Sequence, residues 1–406
     1  MKKKSRMFYQ VAAVVVALAL LAACGNGATT TPPAPTPGTD AGAAGDVTEV
    51  TIGLLGPFTG PVAYFGNSVR QGAMLYIDEF NALGGLQIRV EQFDEEGDLA
   101  LAVTGYHALY DRNVTAIIGS VTSGPTIAVV PEAYNDGMPM ITASATHAAV
   151  TFDSDNNHVW SNMFRSCFID PFQGVKMADF AFEVLEARTA AVLFSNDIDY
   201  SIGLMESFVE RAGEIGLEIV AVENFVDDAI SFEGQLINIA AVNPDVMFFP
   251  AYIRHVALMG PQSAAVGLDT IMLGADGWNG ALAEMPDSSS IEGAYFLTGF
   301  TQESEDPRVQ DFIANYTAVA GFAPNMFAAQ AYDAAMILIA AIEAAIAEGH
   351  SADDQAAFRA AIIGHMSATD LTGVTGHITF DSYNNPQKTA FIVTVDGGQE
   401  RFWGTF

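Results

Sequence analysis

Residues 115–146 read TAIIGSVTSGPTIAVVPEAYNDGMPMITASAT, and this stretch decides the fold. Ala116-Ile117-Ile118-Gly119 is a short β-branched run stopped by glycine, which predicts a buried strand. Thr122-Ser123-Gly124-Pro125 follows. A hydroxyl residue with proline close behind it marks a helix start, because the first turn has no partner for the N–H that proline lacks. The helix is predicted to run to about Asn135, with Gly137 as its stop. Met138 to Thr142 then forms a second apolar strand, which empties into Ala143-Ser144-Ala145-Thr146. Two strand C-termini therefore deliver two small, hydroxyl-rich turns close together. Open parallel sheets bind ligands at that place. The exposed N–H groups of a helix start carry partial positive charge and suit a carboxylate or phosphate. Serine-rich caps also occur for structural reasons alone, so the surrounding chain has to decide.

Working outward, strand and helix patterns alternate on both sides of the stretch. Upstream, Val50–Leu55 is apolar, Asn67–Ala82 carries Val69, Ala73, Met74, Ile77 and Phe80 on one helical face, Leu86–Phe93 alternates, and Leu99–Tyr110 reads as helix. Downstream, an irregular polar loop (Thr151–His158) intervenes before the alternation restarts. It runs as strand Ala190–Phe194, helix Ile202–Ile215, strand Glu218–Phe225, helix Phe232–Ala241, strand Val246–Phe249, helix Ile253–Val266 and strand Thr270–Leu273. Two successive runs of such units predict two parallel-sheet domains of the α/β class. Helices near 307–320, 327–348 and 353–362 and short strands from Gly376 finish the chain.

The N-terminus has a different character. Lys2, Lys3, Lys4 and Arg6 precede an apolar run, Val11–Ala23, that is shorter than the ~20 residues a spanning helix needs, so residues 1–24 are expected to be an export signal. Leu21-Ala22-Ala23-Cys24 resembles the lipobox of bacterial lipoproteins, which implies cleavage before Cys24 and lipid on its sulfur. Residues 25–46 are rich in Thr, Pro, Ala and Gly without a hydrophobic period and are expected to be a flexible tether. Processing would remove four of the 16 Lys and Arg and none of the 48 Asp and Glu, leaving a net charge of −36. Such a surface repels nucleic acid and argues against polyanionic ligands. With Cys24 lipidated, Cys167 has no internal partner and stability must come from the core.

Enzyme signatures are missing from the sequence. G-x-S-x-G, G-x-G-x-x-G and the P-loop do not occur. The seven His are scattered without metal-ligand spacing. Asp153-Ser154-Asp155-Asn156-Asn157 opens like a calcium loop but has His158 where glycine is required and Phe164 where the bidentate Glu belongs. No reaction, metal or cofactor is expected. What remains is a set of loops at the C-terminal ends of downstream strands: Asp199-Tyr200-Ser201, Ala251-Tyr252 and Gly274-Ala275-Asp276-Gly277-Trp278. Set against the two hydroxyl turns, they suit an amino acid. Hydroxyls and helix N–H groups fit its carboxylate, Asp276 its ammonium, and aromatic faces an apolar side chain.

At this point IGLLGPFTGPVAYFG, DEEGD, IIGSVTSG, MPMITASAT, DYSIGL, GADGW and the AYDA of Ala331–Ala334 together resemble the branched-chain amino acid (Leu/Ile/Val-type) substrate-binding lipoproteins of ABC importers, over roughly residues 50–380. The resemblance implies the type I periplasmic-binding fold: two Rossmann-like lobes, 47–166 plus 300–374 and 167–299 plus 375–406, joined by a three-strand hinge near 165–168, 297–301 and 374–378. It places Ser123 and Thr146 on the α-carboxylate. The Ser144 carbonyl, the Thr146 hydroxyl and Asp276 receive the α-ammonium. Tyr200 and Tyr252 flank the ligand from the second lobe, Phe65 and Phe327 line its side chain from the first, and Trp278 reaches into the side-chain space. Implied partners are the amino acid, the permease subunits in the membrane, and the membrane itself through the lipid. The implied protein is an extracytoplasmic monomer. Departures concern the ligand's side chain: the family has Tyr at Phe65 and often Glu at Asp276, and Arg254 and His255 could face cleft or solvent. Thr122 stands where Gram-negative members often have a cysteine of a disulfide. Urea, short amides or aromatic acids are alternative ligands for this fold, and a receptor's sensor subunit is an alternative role.

Overall fold

The computed structural model describes residues 49–406. The export signal, Cys24 and the tether expected from the sequence lie outside the described residues. The elements follow in order as β1 (Glu49–Gly56), α1 (Ala63–Ala82), β2 (Gln87–Asp94), α2 (Leu99–Asp111), β3 (Ile117–Ile118), α3 (Ser123–Asn135), β4 (Met140–Thr142), the short pair β5 (Phe152–Asp153) and β6 (His158–Val159), and β7 (Met163–Arg165). They continue as α4 (Asp170–Asp179), β8 (Thr189–Ser195), α5 (Asp199–Ile215), β9 (Glu218–Phe225), α6 (Glu233–Val242), β10 (Val246–Phe248), α7 (Ile253–Ala265), β11 (Ile271–Leu273), α8 (Ala281–Glu284) and β12 (Tyr295–Thr298). The chain ends with α9 (Pro307–Ala320), α10 (Met326–Ala347), α11 (Gln355–Ser367), β13 (Asp370–Gly373), β14 (Gly376–Thr379), β15 (Phe391–Asp396) and β16 (Gln399–Thr405).

Two large sheets result, as the alternation requires, beside the two-stranded pairs β5–β6 and β13–β14. The first has the order β2-β1-β3-β4-β7 and is parallel throughout. The second has the order β16-β15-β12-β11-β10-β8-β9, parallel from β9 to β12 and closed by the antiparallel pair β15–β16. In each sheet the strand order reverses once, between β1 and β3 and between β8 and β10. Crevices open at such reversals because successive connections leave on opposite faces. The turns after β3, β8 and β10 contain Ser123, Tyr200 and Tyr252, so topology alone puts these residues at the two crevices.

Alternation within the strands builds the core. In β1, Ile52 and Leu54 face one way into a cluster with Val69, Ala73 and Ile77 of α1 and Ile337 and Leu338 of α10. Leu55 faces the other way, onto Tyr106, Leu109 and Val129. Each such side chain contributes ~1.5–3 kcal/mol on burial. α10 is long and apolar enough to cross a membrane but is mostly buried against the protein itself. Its Asp333 carboxylate accepts the Val374 N–H at 2.8 Å and the Thr375 N–H at 2.9 Å, which ties α10 to the segment before β14, and Lys388 Nζ 4.0 Å away is its buried counter-charge.

Helix α4 is an addition to the sequence reading, which placed a hinge crossing near 165–168 but named no helix between residues 158 and 190. Pro171 sits in the first turn, where it is tolerated, and Gly174 is the contact point with α5: a Cβ there would lie 2.4 Å from Ser207 Oγ. The polar loop 151–158 folds partly into β5–β6, and Asp153 accepts the N–H groups of Asp155 and Asn156, which closes the turn on itself.

Candidate ligand-binding cleft

The two turns of the organising stretch are cross-braced. Thr142 Oγ1 donates to the Ser120 carbonyl at 2.6 Å and accepts the Ala145 N–H at 3.1 Å, while Ser144 Oγ donates to the Val121 carbonyl at 2.6 Å. Ser123 Oγ accepts the His147 N–H at 3.3 Å. Beneath them Glu95 is fully buried, accepting Ser120 Oγ–H and the Gly97 N–H at 2.7 Å each, and its burial pushes the carboxyl up to about 7. Arg165, at the end of β7, holds the second turn by donating to the Ala145 and His147 carbonyls, both at 3.0 Å, and to Thr151 Oγ1 at 3.1 Å.

Facing these turns, Tyr200 OH donates to Asp276 Oδ1 at 2.8 Å and accepts the Gly277 N–H at 2.7 Å. Gln173 brackets Asp276 from α4: Nε2 donates to Oδ1 at 3.1 Å, and Oε1 accepts the Asp276 N–H at 2.9 Å. Tyr252 stacks on Tyr200 with ring centres 4.7 Å apart, and its hydroxyl lies within reach of the Ser123 backbone at the α3 start. Phe65 bridges the two sides, its ring 5.3 Å from Tyr252 and 4.9 Å from Phe327. These groups line a narrow, partly open cavity of about 10 Å³. The walls are Phe65, Val121, Thr122 and Ser144 on one side, Tyr200, Tyr252 and Asp276 on the other, with Phe327. Burial pushes the Asp276 carboxyl up to about 6 although Tyr200 and Gln173 both favour its charged form, and both tyrosines stay neutral.

Past Thr122 and Tyr252 the cavity leads to a wider groove of about 160 Å³ that is lined by Glu96, Asp197, Asp199 and Asp227. Arg254 and His255 line this outer groove rather than the inner cavity. The His255 ring is buried, with Nε2 2.8 Å from the Asp227 carbonyl oxygen, and burial lowers its pKa.

A model of the periplasmic binding protein family matches residues 49–400. The chain belongs to that family. Among curated relatives, a Leu/Ile/Val-binding protein homologue of Brucella melitensis is 25% identical over 317 residues, covering 77% of this chain and 83% of the relative. Among solved structures, the isoleucine complex of the branched-chain amino acid transporter substrate-binding protein LivJ of Streptococcus pneumoniae is 29% identical, with a TM-score of 0.79 over 88% of this chain and 99% of that one. A leucine-binding protein of Thermotoga maritima is 27% identical, with a TM-score of 0.80 over 88% and 98%. The fold is thus the type I periplasmic-binding fold.

Within this periplasmic binding protein, six of the residues expected at a ligand line the inner cavity: Phe65, Ser144, Tyr200, Tyr252, Asp276 and Phe327. Ser123 and Thr146 are buried beside it, each one or two residues from a wall residue. Trp278 stands elsewhere. Its indole Nε1 donates to the Phe249 carbonyl at 2.8 Å and its ring packs between Phe249 and Phe296, in the core of the second sheet. Asp276–Trp278 is a 3₁₀ turn, so positions 276 and 278 point to different sides. Sequence reasoning missed Arg165, Asp170 and Gln173, three buried polar residues flanking the α4 start. The available signal was an acidic residue directly before proline, a helix-start pattern, right after a strand that carries a buried arginine.

Proposed function

We propose that this protein captures an amino acid with an apolar, branched-chain-type side chain between two lobes and delivers it to an ABC permease, without catalysing a reaction. The observation that carries this reading is the Asp276 carboxylate: buried, ringed by tyrosines and phenylalanines, and set across a small cavity from a helix N-terminus. A zwitterion complements both ends, while the aromatic walls offer only apolar contact to a side chain. The leucine- and isoleucine-binding relatives support the same ligand class.

In this reading lobe 1 comprises 47–166 plus 300–374 and lobe 2 comprises 167–299 plus 375–406. Sheet membership supports the division, since β7 ends the first sheet and β8–β12 with β15–β16 form the second. The lobes close by bending at the three crossings, and the closed form is what the permease recognises. The protein works outside the cytoplasm as a monomer, held to the membrane by lipid on Cys24.

A thermal-shift screen of the full chain against the twenty amino acids, benzoate and urea tests the reading. Leucine, isoleucine or valine at a hundredfold excess over Kd should stabilise it by ~2.7 kcal/mol. Stabilisation by benzoate or urea with none by any amino acid would refute it.

A further inference from the structure

A second pocket, of about 490 Å³, lies between the lobes and is lined in part by Tyr64 and Met326, the chain neighbours of Phe65 and Phe327. Small-molecule sites commonly span ~300–1,000 Å³. Three aromatic residues line it: Tyr64 from lobe 1, Phe300 from the crossing after β12, and Phe402 from β16 of lobe 2. Two carboxylates, Glu303 and Glu400, join them, and no Lys, Arg or His is among the lining residues. Glu400 Oε1 accepts the Gly280 N–H at 3.0 Å, which leaves Oε2 without a donor among the described residues. Gly280 in turn meets Tyr64 across the cleft, a Cβ on it falling 2.2 Å from Tyr64 OH, so the pocket is complete only where the two lobes meet. Both sides connect with the inner cavity. The Tyr64 ring centre stands 5.9 Å from that of Phe65, and Asn279, which also lines the pocket, donates from Nδ2 to the Asp276 carbonyl at 2.7 Å.

We propose that this pocket is a second ligand site, specific for a small organic cation of the quaternary ammonium class, and that its occupant favours the joined lobes. Aromatic rings attract such a cation through their quadrupole, and the carboxylates supply the counter-charge. A quaternary nitrogen carries no N–H to satisfy, so charge and apolar surface are all it asks of a site. A neutral molecule of the same shape gains the apolar contact without the attraction, and an anion meets two carboxylates. An occupant that touches both lobes binds the joined arrangement better than the separated one, and by linkage it strengthens any other ligand that closes the lobes. The site stands on the pocket alone, while its effect on leucine rests on the amino-acid reading.

Isothermal titration of the full chain in detergent with choline and with its neutral isostere 3,3-dimethylbutan-1-ol tests it. The isostere should bind at least roughly tenfold more weakly than choline. Glu400→Gln keeps an acceptor for the Gly280 N–H and should narrow that ratio to about threefold. Phe402→Ala should weaken choline roughly tenfold. Both variants should bind leucine, without choline, within about twofold of the unmodified chain, which shows that they fold. Saturating choline should tighten leucine at least roughly fivefold in the unmodified chain. Absent choline binding, equal binding of choline and the isostere, or an unchanged ratio in Glu400→Gln would overturn the inference, as would choline that weakens leucine or leaves it unchanged. If no amino acid binds at all, the amino-acid reading fails, and the choline ratio with its narrowing in Glu400→Gln still decides the site.

Discussion

Replacing Asp276 with Asn should move affinity and stability in opposite directions. Asp276 is 2% exposed, and its carboxyl stands at about 6 against an ordinary 3.8. A carboxyl raised on folding holds its proton more tightly in the folded state. The contribution of this group to the stability of the unliganded protein is therefore greatest at low pH and is lost as pH rises from about 3.8 through 6. At ~1.36 kcal/mol per pKa unit, the ionised side chain costs ~3 kcal/mol at pH 7. Asn keeps an acceptor for Tyr200 and Gln173 but carries no charge, so the unliganded variant should gain up to that amount. For roughly 360 ordered residues the unfolding entropy is ~0.75 kcal/mol/K, so Tm should rise by up to ~4 °C. Affinity should fall, because truncating one partner of a buried charge pair costs ~2–5 kcal/mol, roughly thirtyfold to several-thousandfold in Kd. Calorimetric melting without ligand and titration with leucine, both at pH 7, measure the two effects, and melting at pH 4.5 should show a smaller difference. Near-normal leucine affinity, or a Tm that drops while affinity holds, would refute the reasoning and leave Asp276 as a structural turn residue.

Other expectations follow from the same geometry. Gly280 has φ +92°, and a Cβ on it would lie 2.2 Å from Tyr64 OH across the cleft, so Gly280→Ala should resist closure and weaken leucine at least ~tenfold; small-angle scattering with saturating leucine should show dimensions larger than the wild type's, and wild-type affinity and compaction would argue against the contact. Glu95, raised to about 7 from 4.5, also makes the unliganded protein less stable as pH rises through that range, so Glu95→Gln should melt higher than wild type at pH 8 and nearly equal at pH 4.5. Leucine affinity should fall about tenfold per pH unit below pH 6, because the ammonium must displace the Asp276 proton; a flat profile between pH 4.5 and 6 would count against Asp276 as the ammonium's partner.

The β–α alternation was legible because each unit carries its own period: the apolar face of α1 and the β-branched runs of β1, β3 and β10 are local signals. So were the hydroxyl turns and the aromatic loops, since topology delivers strand C-termini to one crevice. What stayed hidden depends on partners distant in sequence. Helix α4 has a glycine, Gly174, that is meaningful only against α5. Asp170 is buried with both carboxylate oxygens lacking a hydrogen bond, and no sequence pattern encodes a missing partner. Trp278 misled because neighbouring positions on a tight turn need not share a side, and the adjacent apolar core was the stronger attractor for its ring.

Gly72 on α1 meets the backbone of Ala328 on α10 so closely that a Cβ there would lie 2.0 Å from its carbonyl oxygen. Roughly 250 residues separate the two, a delay of about 13–50 s at ordinary rates of synthesis. The second sheet waits as well, since β15 and β16 complete its edge from the last residues of the chain. Neither half can finish its core while the C-terminus is still being made. Such long-range closure slows folding. The cores of both halves therefore close together, on the arrival of the last helices and strands of the chain.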